Sequence, residues 1–212
     1  MKLKHISHLI TGSVMELFGV MADGKVVNSY ELTNKRGAKL KVINYGATVT
    51  SLKIPLKSGE MVDVVLGFDT LENYINSFDL ESAPYLGATV GRYAGRINNA
   101  TFNLNGEIIH LDKNNNGHSL HGGKDNFSKK VWEVKNVNEG CSPSITFGYL
   151  SPANEGNYPG DLSVELTYTL SENNELIIEY NAQTTEDTVL NLTHHSYFNL
   201  DGHGHAVTQQ EL

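Results

Sequence analysis

Near the end of the sequence, Thr193-His194-His195-Ser196-Tyr197-Phe198-Asn199-Leu200 places two adjacent histidines inside a run that reads as a β-strand. An imidazole titrates near pH ~6.5, so such a ring can give or take a proton at neutral pH. A strand sends successive side chains to opposite faces, and neighbouring histidines therefore cannot share an environment. One face carries Asn191, Thr193, His195 and Tyr197 and reads as the polar wall of a site. The other carries Leu190, Leu192, His194, Ser196 and Phe198 and reads as core with a polar interruption. The alternation assigns His195 to chemistry and His194 to a packed, hydrogen-bonded neighbour; a bulge would swap the two.

Two further segments carry reactive side chains. In Asn114-Asn115-Asn116-Gly117-His118-Ser119-Leu120-His121-Gly122-Gly123, a polar, glycine-flanked loop presents His118 and His121. Function concentrates on such loops, and a plain solvent-facing histidine fits His118 better than His121. In Gly91-Arg92-Tyr93-Ala94-Gly95-Arg96-Ile97, two arginines stand four apart among small residues. A guanidinium there suits an oxygen-rich ligand, and equally a structural Arg–carboxylate pair. His118, His121, His195, His203 and His205 are numerous enough for a histidine metal site. No carboxylate pattern or metal signature accompanies them, so no metal is expected.

The elements that must position these groups are almost all strands. Asp23-Gly24 and Asn105-Gly106 read as hairpin turns, because these residues tolerate positive φ; the second joins Thr101–Leu104 to Glu107–Leu111. Lys39 to Tyr45 alternates and breaks at Gly46, Thr48 to Leu56 resumes, and Ser58-Gly59 turns again. Val164, Leu166, Tyr168 and Leu170 alternate with polar residues, a half-buried antiparallel strand, and Glu172-Asn173-Asn174 turns it into Leu176–Tyr180. Only Leu71 to Phe78 offers a short helix. No repeat or Pro/Gly/Ser linker divides residues 1–212, so the expectation is one all-β domain, a large antiparallel β-sandwich. Asp201 to Leu212 is loop-like and then looks like the start of another element. Stopping there would leave the sandwich open, so the sequence reads as a domain lacking its C-terminal portion, with unpaired edges and low stability.

Composition narrows the classes. Hydrophobic residues make up 39% and glycine is frequent at 20, which suits strands joined by tight turns. A net charge of −8 without a basic stripe argues against nucleic acid. The single Cys141 rules out an internal disulfide or a thiolate zinc site and fits a reducing compartment. Met1-Lys2-Leu3-Lys4-His5-Ile6-Ser7-His8 has lysines but no apolar run behind them, so no leader is read, and no stretch approaches ~20 apolar residues. Together these give the expectation of a cytoplasmic protein with neither a membrane nor a nucleic acid as partner.

The ordered motifs resemble the aldose 1-epimerase, or galactose mutarotase, family. The resemblance rests on Asn44-Tyr45-Gly46-Ala47, Asp63-Val64-Val65-Leu66-Gly67-Phe68 and Gly91-Arg92-Tyr93-Ala94-Gly95-Arg96-Ile97. It continues through Ser119-Leu120-His121-Gly122-Gly123 with the later Trp132, and ends with Asn191 to Leu200. Each is weak alone; the ordered set covers nearly the whole chain.

That resemblance implies a β-sandwich that interconverts the α and β anomers of a free aldohexose, galactose or glucose, without cofactor. A glutamate takes the C1 hydroxyl proton while a histidine protonates the ring oxygen. The ring opens, the C1–C2 bond rotates, and closure gives the other anomer. Matched onto this sequence, the general acid falls on His195. His121 is a sugar contact that helps stabilise developing charge, Arg96 is another sugar ligand, and Ser196 and Tyr197 flank the acid as substrate-binding residues. The position before Arg96, commonly asparagine in the family, is Gly95. The family's general base lies in a portion beyond this sequence, and Glu211 falls outside its glutamate motif. Two other readings stand beside this one. One is a non-catalytic carbohydrate-binding module that keeps Arg96, His121 and His195. The other is an epimerase of phosphorylated sugars, which would want a basic cluster near the site.

Overall fold

Turn chemistry and alternation shape the first sheet. The computed structural model describes residues 9–10 and 13–211. The leader reading of Met1–His8 lies outside the described residues, as does the last residue of the proposed terminal element. Strands β1 (Leu9–Ile10), β2 (Ser13–Val20), β3 (Val26–Thr33), β4 (Lys39–Ile43), β5 (Thr48–Pro55) and β6 (Met61–Asp63) form an antiparallel sheet in sequence order. The Asp23-Gly24 turn joins β2 to β3 with Gly24 at φ +85°, a conformation open to glycine at little cost.

Helix α1 (Leu71–Phe78) follows, capped by the Thr70 hydroxyl, which accepts from the Asn73 amide at 3.3 Å. It buries Leu71, Tyr74 and Phe78 against Val27 and Ile43 of the first sheet and Tyr45 in the turn after β4. Short pairs come next: β7 (Thr89–Val90), β8 (Arg96–Ile97), β9 (Thr101–Leu104), β10 (Glu107–His110) and β11 (Ser119–Leu120). The β9–β10 hairpin turns on Asn105 at φ +54° and Gly106 at φ +88°, the positive pair that matches strand twist. Then β12 (Glu133–Asn138), β13 (Ser144–Ser151), β14 (Leu162–Leu170) and β15 (Leu176–Thr184) make a four-stranded antiparallel sheet. Finally β16 (Thr193–His194) returns to pair with β7.

The two large sheets pack face to face, giving the all-β sandwich expected. Leu32, Leu40, Val42 and Val49 of the first meet Ile145, Phe147, Val164 and Leu166 of the second in one buried cluster. Each such side chain contributes roughly 1.5–3 kcal/mol by leaving water. The alternation read in residues 164–170 is the inward face of β14, where Val164, Leu166, Tyr168 and Leu170 are fully buried. Among the described residues, β1 and β6 of the first sheet and β12 and β15 of the second have a ladder partner on one side only. No helix among them is long and apolar enough to cross a membrane.

One expectation needs correcting. The run from Leu190 to Leu200 is regular strand only at Thr193–His194. Beyond His195 it leaves β7 and crosses to residues 64–66, where Leu66 N–H donates to the Tyr197 carbonyl at 3.0 Å and Asn199 N–H to the Val64 carbonyl at 2.9 Å. Leu190 and Phe198, expected in the core, are 40% and 50% exposed, because they lie outside the stretch covered by the second sheet.

Candidate active site

The two histidine side chains diverge as adjacent residues of a strand should, although both line the same cavity. His194 turns inward with Ser196, its Nε2 lying 2.6 Å from the Ser196 Oγ. His195 turns the other way with Tyr197, their ring centroids 5.4 Å apart. The backbone around His195 is held by a three-deep ladder. Val49 N–H donates to the Gly87 carbonyl at 2.9 Å, Gly87 N–H to the His195 carbonyl at 3.0 Å, and His195 N–H to the Ala88 carbonyl at 2.9 Å. This approach needs glycine, since a Cβ at residue 87 would lie 1.9 Å from the Val49 oxygen. Asn191 closes the other end: its backbone carbonyl accepts from Ala94 N–H at 2.7 Å and its side-chain amide donates to the Ala94 carbonyl at 2.9 Å.

The β8–β11 pair brings the second histidine to the same place. His121, just past β11, sits at φ +55°, and its N–H donates to the Gly95 carbonyl at 3.0 Å. In return Gly95 N–H donates to the His121 Nδ1 at 3.1 Å. Burial, with the charges of His195 and Arg96 adding to it, lowers the His121 pKa to about 4. The ring is therefore neutral at pH 7. Because Nδ1 accepts, its one proton sits on Nε2, and His121 is a hydrogen-bond donor to whatever fills the site.

The two rings meet edge to face, centroids 5.2 Å apart. Tyr85 packs on both, at 5.8 Å from His121 and 6.3 Å from His195. They wall an open cavity of about 530 Å³ together with residues 191–197, Ala94 and Gly95. No Asp, Glu, Lys or Arg lies among the residues of this wall. The arrangement offers one fixed donor, His121, and a second imidazole, His195, to a small polar molecule.

The other expected residues fall differently. Arg96 is exposed and outside the wall, its Nε donating to the Asn115 side-chain oxygen at 3.1 Å; it reaches the site through its charge on His121. Ser196 and Tyr197 are on the wall. Arg92 is structural: buried, it donates to the Ser151 hydroxyl and to the Ser151, Pro152 and Pro159 carbonyls, all at 2.9 Å. His118 Nδ1 accepts from the Asn99 amide at 3.0 Å. His203 lies against the Val65 carbonyl at 2.7 Å, away from the cavity wall. Among the described residues no three His, Cys, Asp or Glu side chains are grouped to hold a metal. Sequence reasoning missed the orienting Gly95 amide and Tyr85.

Such a fold and wall define a class: an antiparallel β-sandwich presenting paired imidazoles to an open, uncharged cavity. The sequence profile of the family described as Aldose 1-epimerase matches residues 28–212, and this chain belongs to that family. It is 43% identical to the galactose mutarotase of Bos taurus over 166 residues, covering 78% of this chain and 46% of that one. It is 33% identical to the aldose 1-epimerase of Escherichia coli over 190 residues, covering 90% of this chain and 53% of that one. The crystal structure of an aldose epimerase homologue from C. elegans superposes with a TM-score of 0.73 at 37% identity, over 82% of this chain and 51% of that one. The chain spans about half the length of the curated relatives it matches.

Proposed function

We propose that this chain carries the acid side of an aldose 1-epimerase site acting on a free aldohexose such as galactose or glucose. His195 donates a proton to the ring oxygen, and the neutral His121 donates its Nε2–H to a sugar oxygen on which charge develops. Ser196 and Tyr197 hold the sugar's hydroxyls, while Arg96, outside the wall, acts through its charge beside His121. A carboxylate base beyond the cavity wall takes the C1 hydroxyl proton; the C1–ring-oxygen bond breaks, C1–C2 rotates, and closure on the other face gives the second anomer with both protons returned. Paired transfers at two oxygens of one neutral molecule need a positioned acid and base, and no metal or nucleotide. The observation that carries this reading is the edge-to-face His121–His195 pair at 5.2 Å on the wall of the cavity. The exposed, unpaired Cys141 fits a reducing, cytoplasmic setting.

Polarimetry on freshly dissolved α-galactose and α-glucose tests it. A chain extended past Leu212 to the length of its relatives is expected to speed equilibration over buffer, and His195→Asn in that chain to remove most of the gain, roughly 10²-fold or more. An extended chain no faster than buffer sinks the enzyme reading. If it still binds hexose in a calorimeter, the carbohydrate-binding module takes its place.

A further inference from the structure

From the cavity wall inward, through Ser196 and His194 to Tyr168, runs a line of hydrogen bonds whose direction can be worked out atom by atom. The Tyr168 hydroxyl lies 2.6 Å from the Ala47 carbonyl, which can only accept, so the single tyrosine proton is committed there. Toward its other neighbour, His194 Nδ1 at 3.3 Å, the tyrosine oxygen must then accept, and the ring proton sits on Nδ1. His194 is neutral at pH 7, because burial, and after it the nearby His195, pull its pKa down to about 4. A neutral imidazole has one N–H, so Nε2 is bare and accepts. Its partner at 2.6 Å is the Ser196 Oγ, which must donate.

We infer that Ser196 has its only proton drawn inward by the Tyr168–His194 pair, presents lone pairs alone to the cavity, and accepts a hydrogen bond from a ligand hydroxyl. Ser196 is then a specificity-determining contact, and Tyr168 and His194 are positioning residues. This rests on the sugar reading for the ligand's identity, though not for the direction of the chain. The wall so built has a fixed donor at His121 and a fixed acceptor at Ser196. It favours a polyhydroxyl compound whose hydroxyl at that point can donate, and rejects one carrying an ether, fluorine or ketone there. The Ser196–His194 contact also resembles a nucleophile with its base. A base with a pKa near 4 draws little proton from a serine at pH 7, so acyl-transfer chemistry is not the use of this pair.

Two measurements test this. The first is the ¹⁵N spectrum of the histidine-labelled protein near pH 7. His194 is expected as the Nδ1–H tautomer, with Nε2 unprotonated; the Nε2–H tautomer overturns the direction of the chain outright. The second is calorimetric binding of galactose and its singly deoxygenated and singly fluorinated analogues. At one ring position both analogues are expected to bind about tenfold more weakly, because fluorine cannot donate. Ser196→Ala should erase that penalty, leaving the three sugars alike. Tyr168→Phe removes the acceptor for His194 Nδ1–H, frees the tautomer, and lets the fluorinated sugar recover while the deoxy sugar does not. A fluorinated sugar that binds the wild-type protein as well as galactose at every position, or a penalty that survives Ser196→Ala, overturns the acceptor role. If no hexose binds at all, the sugar reading fails and takes the ligand assigned to Ser196 with it, while the histidine spectrum still decides the proton chain.

Discussion

Arg92 is the place where a single change should report on the whole site. The residue is 2% exposed, and its guanidinium donates four hydrogen bonds: to the Ser151 hydroxyl, and to the carbonyls of Ser151, Pro152 and Pro159. Those acceptors belong to the end of β13 and the loop before β14, so the arginine ties that loop to the run 91–95 behind His121. Arg92→Met keeps the length and removes every donor. A hydrogen bond to a charged group contributes about 1.5–3 kcal/mol, so four would exceed 6 kcal/mol if they simply added. They do not, because the buried charge is itself costly, and desolvation already lowers the Arg92 pKa. Methionine leaves four acceptors without a donor, each costing about 1–3 kcal/mol, and release of the buried charge offsets part of that, so a net loss of about 3–5 kcal/mol is the expectation here. Arg92→Lys should recover part of it, since an ammonium has three donors but cannot fan across four acceptors. The assay is urea unfolding followed by the fluorescence of Trp132, the sole tryptophan and a buried one. A loss below about 1 kcal/mol for Arg92→Met, with the transition still cooperative, would refute the claim that the clamp holds the wall.

Acid should act through the two suppressed imidazoles. His121 and His194 titrate near 4 when folded and near ~6.5 when unfolded. Between those values the unfolded chain binds more protons, so stability is whole above pH ~6.5 and falls as pH drops through 4, by up to about 3 kcal/mol for each ring. Urea midpoints from pH 7 to 4 for the wild type and His194→Gln should diverge on the acid side, and parallel curves would contradict this. A paired glycine test probes the approach of the two loops. Gly122→Ala puts a Cβ 2.0 Å from the Gly91 carbonyl oxygen at φ +87°, so a loss of about 3 kcal/mol or more is expected. Gly24→Ala at φ +85° meets nothing within 4 Å and should cost only about 1 kcal/mol; equal midpoints for the two variants would count against the packing argument.

What could be read from the sequence was what is local. Asp23-Gly24 and Asn105-Gly106 turn where their tolerance of positive φ puts them, and Leu71–Phe78 is helical because its apolar spacing and Thr70 cap are both encoded within nine residues. Parity separated His194 from His195 because two adjacent residues in extended backbone must diverge. The failures are non-local. Phe198 looks like core by alternation, yet the chain has crossed to residues 64–66 by then, where no layer covers it. Arg92 and Arg96 look equivalent in sequence. One meets acceptors 59 to 67 residues away and is consumed by them, and nothing in its neighbourhood announces this. The Tyr168–His194 contact joins β14 to β16 across the sandwich, and a tyrosine in an alternating strand reads only as core.

The separation of charge from the wall bears on which sugars the site can take. Lys130 and Glu155 pair at 2.8 Å on the side where Tyr149 and Arg92 pack, and Lys130 also holds Asp125 at 2.7 Å. None of these is among the residues lining the cavity, which has no Lys, Arg, Asp or Glu in its wall. Two of the three imidazoles there, those of His121 and His194, are held neutral by burial and by their neighbour. A phosphorylated sugar would have to leave water for a wall with no fixed cation to receive its two negative charges, a large uncompensated cost. A neutral polyol loses only hydroxyl hydration there, and donors and acceptors of fixed sense can replace that hydration one for one. Under the proposed sugar reading, the part of the wall this chain supplies suits hydroxyls rather than phosphates. The −8 balance of the sequence hinted at this, but the hint came from the whole surface. The reason lies in one small region, where the charges needed to hold the loops are turned away from the cavity they shape.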